Sequence, residues 1–349
     1  MKPNTRVKSI LTSFIVGALL SASPLAAAAQ PSRPEAIDLK GFTLTVADAA
    51  GAFNAICEWA DCMKGAKYKL KYVTFATGPE ALAATIGGSV HLAGTAMAPA
   101  IYATSSKTKA RIVAVTSPPS SPGGLFSLVV SKKAYESGTT SISALRGKSL
   151  ALTMGTEGEY LAVAALKKAT VPLTSVAFSN LLPAQSFAAI SGGSVGAAVV
   201  PEPFVSMLAA AGHKILTTGT GYLPGYFAFY QSDKSMKNPK VNAAISDYLR
   251  RHQAMMVKVS KNVEQGIDVY QKLFFGAYPA AVARPLASKL LVGGLANFVP
   301  ITPNVIAEFQ KEADVLFEVG NLRKRVNMSS AFNTKIYYST LRSLPKIKQ

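Results

Sequence analysis

Two stretches of this chain share one pattern. Residues 81–99 read ALAATIGGSVHLAGTAMAP, and residues 186–204 read SFAAISGGSVGAAVVPEPF. Gly-Gly-Ser-Val occupies 87–90 in the first and 192–195 in the second, an offset of 192 − 87 = 105 residues. In each, a helix of small residues leads in, the Gly pair ends it at a left-handed cap, a short apolar run follows and a proline closes the unit. A short apolar run bounded in this way predicts a parallel strand buried on both faces. Chance likeness between two Gly- and Ala-rich stretches is the competing reading, and the shared helix–Gly–strand–Pro order argues against it. A unit built twice at this spacing points to two equivalent α/β lobes. A chain of 349 residues has room for both, at roughly 150 residues per domain.

The rest of the chain fits that frame. Residues 43–46 and 69–75 alternate as strands, 51–63 has apolar positions at helical spacing, and 111–115 reads as a buried strand. Thr77-Gly78-Pro79 opens a helix, with Pro in its first turn. The order βαβαβ implies a parallel sheet wound right-handedly. Eight turn formers at 117–124 interrupt the rhythm and read as a crossing between lobes. A second series follows, with strands at 149–153, 175–178, 196–200 and 215–218 and helices at 155–169, 185–190 and 203–211. Residues 219–224 return the chain to a strand at 226–231. Helices are expected at 240–257, 263–274 and 302–317, with a Pro/Gly-punctuated connection at 277–300 and a basic trailing arm at the C-terminus. The expected architecture is α/β: two doubly wound lobes joined by two crossover segments, with C-terminal helices. Residues 38–118 plus 228–349 form one lobe and 125–220 the other, with crossings at 117–124 and 219–227.

The first residues address the compartment. Lys2, Arg6 and Lys8 precede an apolar stretch at 10–20 and then Ala27-Ala28-Ala29, the layout of a secretory signal cleaved near Ala29. No later window reaches about 18 uninterrupted apolar residues, so the mature chain is expected to be soluble and exported. The net charge is +19, or 19 − 3 = +16 once the three signal cations are removed. The cations are scattered rather than interleaved with aromatics in a stripe, which argues against a nucleic-acid partner. They suit either simple solubility or a field that concentrates an anion. Cys57 and Cys62 are five apart, which on an unbroken helix puts them about 140° apart round the axis, too far for a disulfide. A bond therefore requires the helix to end near Ala60. Disulfide and buried thiols both stay open at this point.

In open α/β sheets, ligands bind outside the carboxyl ends of the strands. Here those ends carry small residues, hydroxyls and helix starts, which predict a cradle of free backbone N–H groups for an anion. Thr77, Thr95 and Thr156 add hydroxyls, each of which is equally an ordinary helix cap. Enzyme chemistry finds little support. The three histidines, His91, His213 and His252, lack metal-ligand spacing and share no segment with the cysteines. No phosphate-binding, dinucleotide-binding or nucleophile-elbow motif is present. No cofactor or metal is expected. Glu157 and Glu159 read as helix-start stabilisers, although a carboxylate at 157 opposes an anion beside it unless it turns away or faces an amine.

Several of these segments together resemble the periplasmic substrate-binding proteins of ABC importers of the aliphatic sulfonate, taurine and nitrate type. The likeness spans residues 43–275. It is carried by Gly78-Pro79-Glu80-Ala81-Leu82, Gly88-Ser89-Val90-His91, Leu145-Arg146-Gly147-Lys148, Gly155-Thr156 to Tyr160-Leu161, Glu202-Pro203-Phe204, Thr218 to Tyr222 and Asn238-Pro239-Lys240-Val241. The resemblance implies the type II periplasmic binding protein fold, with lobes that close on a ligand. It also implies a monomer that hands its solute to an inner-membrane permease driven by an ATPase. By position, the ligand would meet Gly51, Ala52, Phe53, Thr77, Gly78, Thr95, Ala96, Met97, Ser121, Gly124, Gly155, Thr156, Glu157, Tyr160, Glu202 and Phe204. Phe53, Met97, Tyr160 and Phe204 would grip the organic part of an alkanesulfonate or taurine, and each is equally a core residue. His91 stands where the family commonly has Asp, and Glu157 is unusual beside a sulfonate. Other expectations are a different ligand on this scaffold (nitrate, a pyrimidine or an amine), a desulfinase-like enzyme, and a sensor for a membrane kinase.

Overall fold

The computed structural model describes residues 37–49, 51–118 and 125–347. The signal segment therefore lies outside the described residues, as does most of the first crossing, including Ser121 and Gly124. The chain begins with β1 (Thr43–Ala49), α1 (Ala52–Ala60), β2 (Lys69–Phe75), α2 (Gly78–Gly87), β3 (Ala93–Thr95), α3 (Met97–Ser105) and β4 (Ala110–Ser117). It continues through β5 (Phe126–Val130), α4 (Lys132–Glu136), β6 (Ser149–Leu152), α5 (Glu157–Lys168), β7 (Ala177–Asn180), α6 (Pro183–Ser191), β8 (Ala197–Pro201), α7 (Phe204–Ala210) and β9 (Lys214–Thr218). After β10 (Phe227–Ser232) come α8 (Pro239–Lys261), α9 (Val263–Phe275), α10 (Ala280–Gly294), β11 (Asn297–Val299), α11 (Pro303–Glu318) and α12 (Tyr338–Arg342).

The strands assort into two sets of matching order. β1 pairs in parallel with β2, and a parallel bridge from Val46 to Leu92 joins β1 to the segment entering β3. β10 runs antiparallel between β3 and β4, with β11 at the far edge of β4, giving the order β2-β1-β3-β10-β4-β11. The second sheet is β7-β6-β8-β5-β9, with β6 parallel to β7 and β8, and β5 antiparallel to β8 and β9. In each sheet three helix-linked strands lie side by side, followed by one antiparallel strand. This corrects the expectation of wholly parallel sheets. Helical crossovers force parallel pairing only between the strands they connect. β4 passes to β5, and β9 to β10, with no intervening helix in the described residues, so β5 and β10 are free to enter reversed.

The doubled Gly-Gly-Ser-Val falls at matching places in this order. α2 leads into β3 and α6 into β8, and the second glycine of each pair is left-handed, Gly88 at φ 85 and Gly193 at φ 77. The following serines make the same bonds. Ser89 N and Oγ both donate to Ala84 O at 3.1 Å, and Ser194 N and Oγ donate to Ala189 O at 3.0 and 3.1 Å. Each of the two strands is parallel to one neighbour and antiparallel to the other, so "parallel" held for one side only.

α1 ends at Ala60, where Asp61 adopts φ 52 and breaks the helical spacing. That break brings Cys57 and Cys62 to a Cα separation of 4.9 Å, and they are joined as a disulfide. The connection expected at 277–300 is instead largely helix. Pro285 sits inside α10, where it forfeits one backbone bond. Ala283, Ala287, Leu290 and Leu291 nevertheless form a buried face, and a Cβ on Gly266 of α9 would lie 2.8 Å from Leu291. That close packing outweighs the local signal. The C-terminal segment straps the first sheet: Phe332 bridges Ile112, Tyr337 Oη donates to Gln231 Oε1 at 2.7 Å, and Ile347 N donates to Asn297 Oδ1 at 2.8 Å.

Candidate functional site

Three of the loops expected at the site converge. A Cβ on Gly78 would lie 3.0 Å from Pro99 and 3.1 Å from Thr95, so the start of α2 rests against the turn into α3. Gly155, at φ 76, approaches Pro79 from the other half of the chain at 3.5 Å from its Cβ position. Glu157, the first residue of α5, reaches across to α3, and its Oε1 accepts from Met97 N at 2.5 Å and Ala98 N at 2.9 Å. The halves therefore meet through the 77–79, 95–97 and 155–157 segments.

The helix starts along this seam are not free, which corrects the expectation of an open amide cradle. Gly51 sets the left-handed entry to α1, but Phe53 N and Asn54 N donate to the two oxygens of Asp48 at 3.0 and 2.9 Å. Thr77 Oγ1 accepts from Glu80 N at 3.4 Å, and Ala76 N donates to Glu80 Oε2. Thr156 caps α5 through Gly158 N at 3.2 Å, while Gly155 N donates to Glu159 Oε2 at 2.8 Å. Ser206 N in α7 donates to Glu202 Oε2 at 3.0 Å. Carboxylates from within the chain have taken the amides because a helix N-terminus attracts negative charge whatever its source. Glu159 thus serves its own helix, as expected, and Glu157 serves another.

Glu159 also joins the halves, accepting from Tyr102 Oη of α3 and from Asn321 Nδ2, both at 2.8 Å. Glu202, at the end of β8, has Lys289 Nζ of α10 at 3.0 Å. Its side chain is 2% exposed, and the lysine supplies the compensating charge. Among the described residues, no cation lies within salt-bridge distance of Asp48, Glu157 or Glu159. Burial pushes all three carboxyls above the ordinary range, opposed in each case by the amides they accept from. For Glu157 the net result is a value of about 7. Glu312 of α11, 1% exposed, is raised well above the ordinary range, first by burial and then by the charge of Glu157.

The four residues expected to grip an organic group divide between core and seam. Met97 and Tyr160 are buried in one apolar cluster with Leu82, Leu223 and Phe309, so the core reading holds for both here. Phe53 is half-buried, edge-on to His252 at 4.9 Å and to Phe227 at 6.2 Å. Phe204 is half-buried against Phe187 at 5.5 Å. Thr95 is buried and its Oγ1 donates to Ala96 O at 2.9 Å, while Ala52 and Ala96 are half-buried at the starts of α1 and α3. The histidines have structural partners: His91 Nδ1 accepts from Thr45 N, His213 Nδ1 from Lys132 N, and His252 lies among Phe53, Phe229 and Phe298. One hollow, of about 360 Å3, lies between α9 and α10 beside Ile267, Arg284 and Pro285, and none of the converging-loop residues lines it.

Sequence reasoning passed over Asp48, Lys289 and Glu312. Asp48 carried a signal, an acid at the carboxyl end of a buried strand a few residues before a helix. Lys289 and Glu312 carried none, because each meets its neighbours across long stretches of chain.

Paired β-α-β halves whose strand ends face one another define the type II periplasmic binding protein fold. The resemblance read from the motifs is borne out by similar proteins. Over 326 residues, 92% of this chain and 95% of the relative, the chain is 27% identical to a proposed aliphatic sulfonates-binding protein of Escherichia coli (strain K12). The alkanesulfonate-binding protein from Xanthomonas axonopodis pv. citri, solved bound to MOPS, superposes with a TM-score of 0.73 at 21% identity, covering 84% of this chain and 99% of that one. The periplasmic aliphatic sulphonate binding protein from Escherichia coli gives 0.69 at 23% identity, covering 85% and 99%. No protein-family model matches the chain.

Proposed function

We propose that the protein is the periplasmic solute-binding component of an ABC importer, and that it captures a small organic sulfonate and delivers it to an inner-membrane permease and its ATPase. The observation that carries this reading is the likeness, along nearly the whole chain, to sulfonate-binding proteins. In this reading the solute would sit at segments 51–53, 77–79, 95–97, 155–157 and 202–204, between lobes formed by residues 38–118 plus 228–349 and by 125–220. Export through a signal cleaved near Ala29 belongs to the same reading, and among the described residues no helix is long and apolar enough to cross a membrane. A desulfinase-like enzyme needs a thiol with His and Arg in the cleft. Cys57 and Cys62 are bonded to each other, and His91 and His213 accept from the backbone amides of Thr45 and Lys132, so the binding role is favoured.

A thermal-shift panel on the mature protein tests this reading, because a ligand of the native state raises its melting temperature. Alkanesulfonates or taurine should raise it, while nitrate and simple carboxylates should not. A shift with nitrate or a pyrimidine and none with any sulfonate contradicts the reading.

A further inference from the structure

Lysines that lie scattered along the sequence are gathered by the fold. Lys107 and Lys109, between α3 and β4, are exposed, and so are Lys234, Lys237 and Lys240, between β10 and the first turn of α8. Backbone pairing sets these two segments side by side. Ala110 faces Ser232 in the β4–β10 register, and Asp233 N donates to Lys109 O at 2.8 Å. The C-terminal strap brings exposed Lys335 to the same end, since Asn333 N donates to Ile112 O at 2.9 Å and Asn333 Nδ2 to Met236 Sδ at 3.6 Å. Arg111 is paired with Asp233 at 3.4 Å, and Asp233 is the one acid within 107–111, 232–240 and 330–335. Six lysines therefore share one end of the first sheet with a neutral pair. Among the described residues none of the six has an Asp or Glu within salt-bridge distance.

This end lies away from the seam. β10 meets Thr95 through Ala228, and Ser232 is 232 − 228 = 4 residues further on, roughly 13 Å at the rise of an extended strand. Lysine ammoniums are compact point charges on flexible stems, without the fork by which arginine grips a single phosphate or carboxylate. They suit a broad negative surface better than one shaped anion. Phe332, the aromatic residue within these segments, packs on Phe309 at a ring distance of 5.1 Å, so a nucleic acid finds no stacking platform here. Each lysine brought to an anionic leaflet adds to the attraction, which fades within about 8 Å at physiological salt. Six on one end can face a plane together.

We propose that this end of the molecule docks on a bilayer rich in anionic phospholipid, with the seam turned away from the lipid. Neither the surface nor its partner depends on which solute the seam takes.

The test is flotation of the mature protein with vesicles of phosphatidylglycerol or of phosphatidylcholine at low salt. A Lys234→Glu, Lys237→Glu, Lys240→Glu variant is compared with Lys132→Glu, Lys133→Glu, Lys214→Glu, which makes the same change of charge on exposed lysines of the other half. The expected result is that wild type floats with phosphatidylglycerol and not with phosphatidylcholine. The first variant should lose at least about tenfold in partition, and the second should stay within about threefold of wild type. Equal losses in the two variants overturn the assignment to this surface in favour of overall charge. Absence of wild-type flotation, or equal flotation with both lipids, overturns the anionic-lipid assignment, and capture by poly-glutamate in its place points to an acidic protein instead. Acetylation footprinting of the wild type needs no variant to fold. With phosphatidylglycerol vesicles present, Lys234, Lys237 and Lys240 should be protected while Lys132, Lys133 and Lys214 stay reactive, and uniform or reversed protection contradicts the docking surface.

Discussion

Glu157 and Glu312 are held in the native state where water cannot reach them, and their protonation follows from that. Their carboxyls titrate well above the ordinary 4.5, Glu157 at about 7, because burial disfavours the charged form. The folded chain therefore keeps protons that the unfolded chain releases, and stability falls as pH rises from 4.5 through 7. His252 acts in the opposite sense over a lower window, because burial lowers it to about 4 and the unfolded chain gains a proton below its ordinary 6.5. The clean measurement is the difference between wild type and Glu312→Gln. Melting temperatures recorded from pH 5 to 8.5 should fall less steeply in the variant, and parallel curves would count against a buried acid pair. None of this was legible in the sequence beyond the remark that a carboxylate at 157 opposes an anion. The partner amides lie about sixty residues away, and one-dimensional patterning carries no information on such a pairing.

The elements that could be read were those whose reason for forming is local. Both Gly-Gly-Ser-Val caps were anticipated, because a left-handed residue after a small-residue helix is a short-range requirement. Gly88 and Gly193 each face open space, so alanine there meets no clash and suffers only the backbone penalty. Gly88→Ala and Gly193→Ala should each destabilise by about 1–2 kcal/mol, with similar values at both sites, as measured by denaturant midpoints. Unequal effects would contradict their equivalence. The disulfide was left open for a geometric reason that the structure resolves, the end of α1 at Ala60. Its cysteines are five positions apart, and the chain-entropy relation for so short a loop gives about 2 kcal/mol lost in a Cys57→Ser, Cys62→Ser double variant. α10 was missed because Pro285 spoke locally against a helix, whereas packing on α9 decided the outcome. The directions of β5 and β10 were missed because alternation of apolar residues is blind to strand polarity.

At the scale of the molecule, the sheet orders β2-β1-β3-β10-β4 and β7-β6-β8-β5-β9 match strand for strand, and the 105-residue offset of the repeated motif is the trace of that match in the sequence. In each order the fourth position is taken by an antiparallel strand, β10 in one and β5 in the other. The seam is bound by Glu157 to α3, Glu159 to Tyr102 and Asn321, and Glu202 to Lys289. It is the region where internal carboxylates take helix-start amides. The most direct test is a crystal structure of the mature protein grown with 2-aminoethanesulfonate. Electron density for the solute bounded by 77–79, 95–97, 155–157 and 202–204 is the expected result. Density confined to the hollow between α9 and α10, with the seam still sealed by Glu157, would contradict the account.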